Sequence, residues 1–340
     1  MINKEEIFVN EKHWRNMSED QLSDYVDKIF QYYRMNGFPY YNLTWDERNY
    51  EFRKLMDFNI SNIYEDGVIK QTMHGLSLAW HYFPHSFDVK CNDKLTPSEA
   101  FLNDEIFKKV IRKRLKIGTY MSDSGIRKML KIYTGVQGVS NFRPTAAAYI
   151  YQKYAPYGVV WDMSGGWGGR LLGAIKAGVY SYIATEPSLK TYDGLCNLAN
   201  DFATNRIHYH ISKLGSEKFY PHPKTLDLCF TSPPYFDLEK YSDDSTQSYL
   251  KFNNKSEWVE GFLKETFKRC HYGLKPEKHM IINIADVKGR HNLNLEAETI
   301  RVAEEVGFRH VETLKLALSN INLRNKSEKF KYEPIFVFQK

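Results

Sequence analysis

From Gly158 onward, short apolar runs alternate with longer segments of helical spacing, and this alternation leaves the chain very few architectures. The runs are Val159 to Met163, Tyr180 to Thr185, Ile207 to Ile211, Leu226 to Phe230 and Met280 to Ile284. Each suits a strand covered on both faces, and the chain between successive runs is long enough for helical crossovers. Two later runs, Arg309 to Leu318 and Pro334 to Phe338, lie close enough to form an antiparallel pair at one edge. The expectation is an α/β fold of Rossmann type with seven strands, mostly parallel, and an antiparallel edge hairpin.

The first 140 residues read differently. Leu22, Tyr25, Val26, Ile29, Phe30 and Tyr33 recur at helical spacing behind the cap-like Ser18, and Gly37 and Pro39 end that helix. Thr96-Pro97-Ser98-Glu99 is a strong helix start, with threonine as N-cap, proline at the first helical position and glutamate three residues after the cap. The helix it opens is expected to run to about Gly118. A polar, glycine-containing stretch from Ser122 to Ser140 precedes Asn141-Phe142-Arg143-Pro144, and Thr145 to Tyr154 reads as a further helix. The division expected is a mainly helical domain over 1–140 and a sheet domain over 141–340.

The first strand of the sheet ends at Asp162 and runs straight into Met163-Ser164-Gly165-Gly166-Trp167-Gly168-Gly169, with a helix behind it. Glycines at such a turn let the backbone bend tightly and approach a ligand, which marks Asp162, Ser164, Gly166 and Gly168 as a nucleotide-approach loop. The second strand ends in Glu186, 186 − 162 = 24 residues after Asp162. That is near the spacing of an acid that accepts hydrogen bonds from two ribose hydroxyls, and it suits an unphosphorylated adenosine cofactor such as S-adenosylmethionine or NAD. Ser216, in the Gly215-Ser216-Glu217 exit of the third strand, occupies a position that would meet the adenine ring.

The fourth apolar run leads directly into Thr231-Ser232-Pro233-Pro234-Tyr235. Two adjacent prolines offer no backbone N–H and cannot continue a strand, so the chain leaves the sheet in a stiff turn able to hold a hydroxyl and a carbonyl in place. Here the chain resembles the S-adenosylmethionine-dependent amino-methyltransferases of DNA, which act on adenine N6 or cytosine N4. They carry an Asp/Asn/Ser-Pro-Pro-aromatic motif after the fourth strand and a glycine motif after the first. The likeness covers roughly residues 141 to 340.

The resemblance implies that Ser232 and the Pro233 carbonyl accept hydrogen bonds from the target amine, that Pro234 stiffens the turn, and that Tyr235 stacks on a base flipped out of its duplex. It places Phe142 near the methionine part of the cofactor and Thr231 at the edge of its pocket. Arg143 is our own addition, as a partner for the cofactor carboxylate. Met163 and Ser164 stand where the family has Pro-Phe, and Trp167 interrupts the glycines, so the adenosine pocket is expected to be lined differently. Serine in the first motif position is commoner in the cytosine enzymes, yet the motif order here is not theirs, so the base stays open. So do RNA as substrate, transfer of another group from the same cofactor, and a non-catalytic binding protein with a degenerate pocket.

With no room for a recognition insert between Glu217 and Thr231, target recognition falls to residues 1–140, where Lys108, Lys109, Arg112, Lys113, Arg114 and Lys116 crowd into one segment. The formal charge of +6 is modest, so this clustering rather than the total suggests a phosphate-facing surface. The four cysteines are scattered, and His208 and His210 alternate as in a strand, so neither metal nor disulfide is expected. A charged N-terminal stretch and the lack of any apolar run approaching about 18 residues point to a cytoplasmic protein without membrane spans.

Overall fold

The computed structural model describes residues 2–236, 238–241, 244–287, 294–318 and 330–340. The chain divides into two compact units. One comprises Met1–Asn42, Pro84–Ser140 and Glu239–Tyr241, the other Leu43–Phe83, Asn141–Leu238 and Ser242–Lys340. Leu43–Phe83 groups with the sheet rather than with the helical unit. Aromatic packing explains why. Phe52 stacks on Phe202 at 4.6 Å, and Trp45 lies 5.9 Å from the same ring. Arg48 pairs with Asp201 at 2.5 Å.

The first unit is helical. Ser18 caps Glu19–Asn36 in a reciprocal box with Gln21, and Gly37, at φ 79°, closes the helix. Thr96 and Glu99 form the expected box at the start of Pro97–Leu102. That helix stops early, because the Asn103 side chain accepts from the Ile106 N–H at 3.0 Å and opens a second helix, Asp104–Ile117. Phe30, Tyr33, Phe107, Ile111 and Leu130 form the core. Lys90–Cys91 and Glu239–Lys240 add a short antiparallel pair.

Among the described residues, the second unit is built on one sheet of nine strands rather than seven. We number them β1 (Tyr64–Glu65), β2 (Val68–Ile69), β3 (Val159–Asp162), β4 (Ser181–Thr185), β5 (His208–Ser212), β6 (Leu226–Thr231), β7 (Leu274–Asn283), β8 (Arg309–Ala317) and β9 (Tyr332–Gln339). Their order is β1-β2-β8-β9-β7-β6-β3-β4-β5. The seven expected strands are all present. The two extra ones are a two-residue hairpin turning on Asp66 and Gly67, both at positive φ, and β2 pairs parallel to β8. The antiparallel β8/β9 pair forms as expected, with β9 inserted between β7 and β8, so β9 also pairs antiparallel to β7.

Strand alternation separates the two faces. Trp161, Cys229, Met280, Ile282, Phe336 and Phe338 join a buried cluster with Phe267 and Cys270 of helix Glu265–Gly273 and with Leu295 and Val302 of helix Leu295–Val306. On the opposite face Phe230 meets Phe142 at 5.3 Å and Tyr151 of helix Pro144–Tyr154 at 5.6 Å. Among the described residues no helix is long and apolar enough to cross a membrane, and all four cysteines are free.

Candidate active site

The chain winds outward from β3 through β4 to β5, then returns to the other side of β3 with β6 and β7. In open α/β sheets of this kind, ligands bind at the carboxyl ends of the strands on either side of that reversal. Those ends here are Asp162 on β3 and Thr231 on β6. The glycine loop and the Ser-Pro-Pro-Tyr turn therefore leave adjacent parallel strands at the same rim of the sheet.

A buried polar cluster ties the two loops together. The Asp162 side chain is fully buried. Its Oδ2 accepts from Arg170 Nε at 2.9 Å and Tyr182 Oη at 2.8 Å, its Oδ1 from Thr231 Oγ1 at 3.1 Å and the Ser164 N–H at 3.3 Å. Arg170 also donates to the Ser164 carbonyl. A buried ion pair is tolerated when every remaining lone pair is met, and here both carboxylate oxygens are doubly bonded. Asp162 thus has its acceptor capacity committed inside the protein, where it fixes the loop, and Thr231 links that loop to β6. The sequence pattern places both among cofactor contacts and gives Arg170 no role.

The glycines divide by what surrounds them. A Cβ on Gly169 would lie 2.0 Å from the Phe142 carbonyl oxygen, and one on Gly168, at φ 74°, would lie 2.6 Å from Leu198. Gly166, at φ 56°, has nothing nearer than 3.6 Å. Gly169 and Gly168 therefore permit close packing, whereas at Gly166 a Cβ would meet its neighbours at ordinary van der Waals distance, so the positive φ at the crest of the loop is what favours glycine there. Trp167, between these glycines, is buried, 6.1 Å from Trp80 and 5.9 Å from Phe83.

Glu186 is 8% exposed, and its two carboxylate oxygens accept from the Gly166 N–H at 3.1 Å and the Ser188 N–H at 3.0 Å. Burial pushes its pKa up to about 7, against the pull of those two N–H groups. The acid thus holds the backbone of the glycine at the crest of the loop. Ser216 is turned elsewhere, its hydroxyl 2.8 Å from that of Thr266 inside the protein.

Phe142 is buried against Phe230 at the start of helix Pro144–Tyr154. Arg143 donates to Gln71 Oε1 through Nε at 3.1 Å and Nη2 at 2.9 Å. Burial lowers its pKa, with Glu333 opposing. Gln71, which this contact brings to the rim, follows the β1–β2 hairpin and carries no signal in sequence.

Beyond Thr231, Ser232 is half-buried, Pro233 buried and Pro234 half-buried. The Tyr235 ring packs on the core cluster, and its hydroxyl accepts from the Ala285 N–H at 3.1 Å, just past the end of β7. Phe236 follows at φ 53°, a conformation unfavourable for a bulky residue, with its ring 6.1 Å from Trp258. Strain of this kind costs about 1–3 kcal/mol and persists where surrounding structure holds it, often beside a site.

In the first unit, the basic segment lies on Asp104–Ile117. Lys108 pairs with Asp27 at 2.7 Å, Arg112 donates to Ser23 at 2.8 Å, and Arg114 donates to the Tyr120 carbonyl. Lys109, Lys113 and Lys116 are exposed at helical spacing along one stripe.

The sequence matches no protein-family model and no curated protein. Solved structures do match. One is an S-adenosylmethionine-dependent O-methyltransferase from Thermotoga maritima, 10% identical, covering 59% of this chain and 67% of that one at a TM-score of 0.41. Another is magnesium protoporphyrin IX methyltransferase from Synechocystis with bound S-adenosylmethionine, 13% identical, covering 58% and 76% at 0.39. A third is TYW2 of M. jannaschii in complex with S-adenosylmethionine, 14% identical, covering 58% and 74% at 0.37. The sheet itself is mostly parallel and Rossmann-like, with the antiparallel strand β9 inserted between β7 and β8.

Proposed function

We propose that this chain transfers a methyl group from S-adenosylmethionine to an exocyclic amino group of a DNA base, cytosine N4 or adenine N6. The observation that carries the reading is Thr231, whose hydroxyl ties the end of β6 to both Asp162 and the Ser164 carbonyl of the glycine loop. It brings a candidate adenosine loop and a candidate amine-binding turn to one rim.

The residues present fit the cofactor. The half-buried backbone at Gly166 is where it would approach, and the Glu186 carboxylate beside it would accept from ribose hydroxyls in place of the Gly166 N–H. When bound, S-adenosylmethionine supplies an electrophilic methyl group on a sulfonium. An aromatic amine is a poor nucleophile because its lone pair is delocalised into the ring. Ser232 Oγ and the Pro233 carbonyl, held by a turn that cannot relax into a strand, would accept from the two N–H groups and favour the pyramidal nitrogen that releases the pair. Catalysis of this kind is positional and electrostatic. Tyr235, its hydroxyl anchored by Ala285, would offer a fixed ring for the flipped base. The exposed stripe of Lys109, Lys113 and Lys116 would contact phosphates.

The test is labelled methyl transfer from S-adenosylmethionine onto plasmid DNA, phage DNA and total RNA. Incorporation into DNA is expected. Incorporation only into RNA would reject the choice of polymer, and absence of cofactor binding at millimolar concentration would reject the enzyme.

A further inference from the structure

From Asp244 the chain folds back over the exits of β4 and β5. Thr246 Oγ1 donates to the carbonyl of Pro187, the residue after Glu186, at 3.2 Å. Lys251 Nζ meets the Glu217 carboxylate, just past β5, at 2.8 Å. Ser248 accepts from Nε1 of the fully buried Trp258 at 3.2 Å. The first two bonds hold the segment against the two strand ends that flank an adenosine site in this kind of sheet, and the third ties it to the helix that follows.

Gln247 sits between them, 5% exposed. Its backbone is satisfied: the N–H donates to the Asp244 carbonyl at 2.9 Å, and its own carbonyl accepts from Leu250 and Lys251 at 3.1 and 3.2 Å. Its side-chain Nε2 is buried and has no partner among the described residues. A buried amide donor without an acceptor is uncommon in folded proteins and calls for a missing partner. A carboxamide offers a donor and an acceptor side by side, and adenine offers the complement, a ring nitrogen next to its 6-amino group.

We infer that Gln247 reads the adenine edge of the cofactor, its carboxamide turning out of its closed, unpartnered ligand-free position so that Nε2 donates to a ring nitrogen and Oε1 accepts from the 6-amino group. The inference rests on the proposed cofactor and extends it by a residue outside both loops. It also makes the segment around Gln247 part of the wall that selects adenosine over other nucleosides.

A binding cycle tests it, using Gln247→Met, which keeps the side-chain volume, and Gln247→Ala. The ligands are S-adenosylhomocysteine and its N6,N6-dimethyladenine analogue, whose amino group can no longer donate, and calorimetry gives each dissociation constant. The substitutions should weaken S-adenosylhomocysteine at least tenfold and the dimethyl analogue by a clearly smaller factor, because with that ligand only the Nε2 bond to the ring nitrogen is left to lose; residual binding of the analogue also shows that the pocket is intact. Equal weakening of both ligands would mean a merely structural role, and no weakening of either would mean that the amide faces no base; each result overturns the inference while leaving the cofactor in place. Failure of the unaltered protein to bind S-adenosylhomocysteine at millimolar concentration would overturn both the inference and the proposed function.

Discussion

Glu186 gives the cofactor site a pH signature that can be worked through. Its pKa, about 7 in the ligand-free protein, is set first by burial; Asp162 raises it further and Arg170 opposes. Ribose hydroxyls donate, so they favour the ionised carboxylate, and the competent fraction of the protein is the ionised fraction. That fraction is about nine-tenths at pH 8, one-half at pH 7 and one-eleventh at pH 6, and apparent affinity scales with it. Binding of S-adenosylhomocysteine should therefore weaken roughly tenfold, about 1.4 kcal/mol, from pH 8 to pH 6, with close to one proton released per ligand at the acid end. Calorimetry in two buffers of different ionisation enthalpy measures both quantities. The Glu186→Gln variant should bind more weakly at pH 8 and lose most of the pH dependence. Affinity that stays flat, or that tightens toward acid, would refute the role given to this carboxylate.

The same residue affects stability with the opposite slope. Its folded pKa lies above its ordinary value near 4.5, so the native state holds a proton that the unfolded chain releases, and stability should fall by about 3 kcal/mol as pH rises from about 4.5 to about 7. Denaturant unfolding of the unaltered protein and of Glu186→Gln checks this, since the variant should lack that component. Thr231→Val keeps the shape but removes one donor from a buried carboxylate, and should cost about 1.5–3 kcal/mol with weaker cofactor binding; a midpoint shift under about 0.5 kcal/mol would mean that Thr231 does not couple the loops. Tyr235→Ala should lower turnover by about 1–3 kcal/mol while cofactor affinity is nearly unchanged; equal loss of both would remove the division of roles between the two loops. Replacing Lys109, Lys113 and Lys116 together by glutamine should reduce DNA affinity for all sequences and flatten the salt dependence by about 0.9 for each phosphate no longer neutralised, as read by fluorescence anisotropy across salt. An unchanged slope would take the stripe out of the interface.

Much of the sheet was legible because its strands are apolar over several successive residues, and the helices of the first unit because Ser18 and Thr96 cap them. The Tyr64–Ile69 hairpin was not, since two-residue strands show no periodicity, and this also concealed that Leu43–Phe83 packs with the sheet. The break at Asn103 lay within a continuous helical pattern, and only the asparagine's capping chemistry marks it. At the site, the turns stood out through proline and glycine, whose backbone limits are local. What each side chain does depended on distant partners. Asp162 looked like a ligand residue and is committed to Arg170, Tyr182 and Thr231. Trp167 looked like pocket lining and is core. Arg170 is the second residue of the helix Gly169–Ala177 behind the glycines, close enough in sequence to suggest a pair with Asp162. Gln247 had no such signal, because a glutamine in a polar loop acquires meaning only when burial leaves its amide without a partner.

The most direct measurement is the mass of the modified nucleoside. DNA incubated with the protein and S-adenosylmethionine carrying a trideuterated methyl group, then digested to nucleosides, should yield N4-methyldeoxycytidine or N6-methyldeoxyadenosine bearing the heavy methyl. The product should disappear with Ser232→Ala combined with Tyr235→Ala. A heavy methyl on a ring carbon, or a heavy methylated nucleoside formed equally well by that double variant, would contradict amine activation by the Ser-Pro-Pro-Tyr turn.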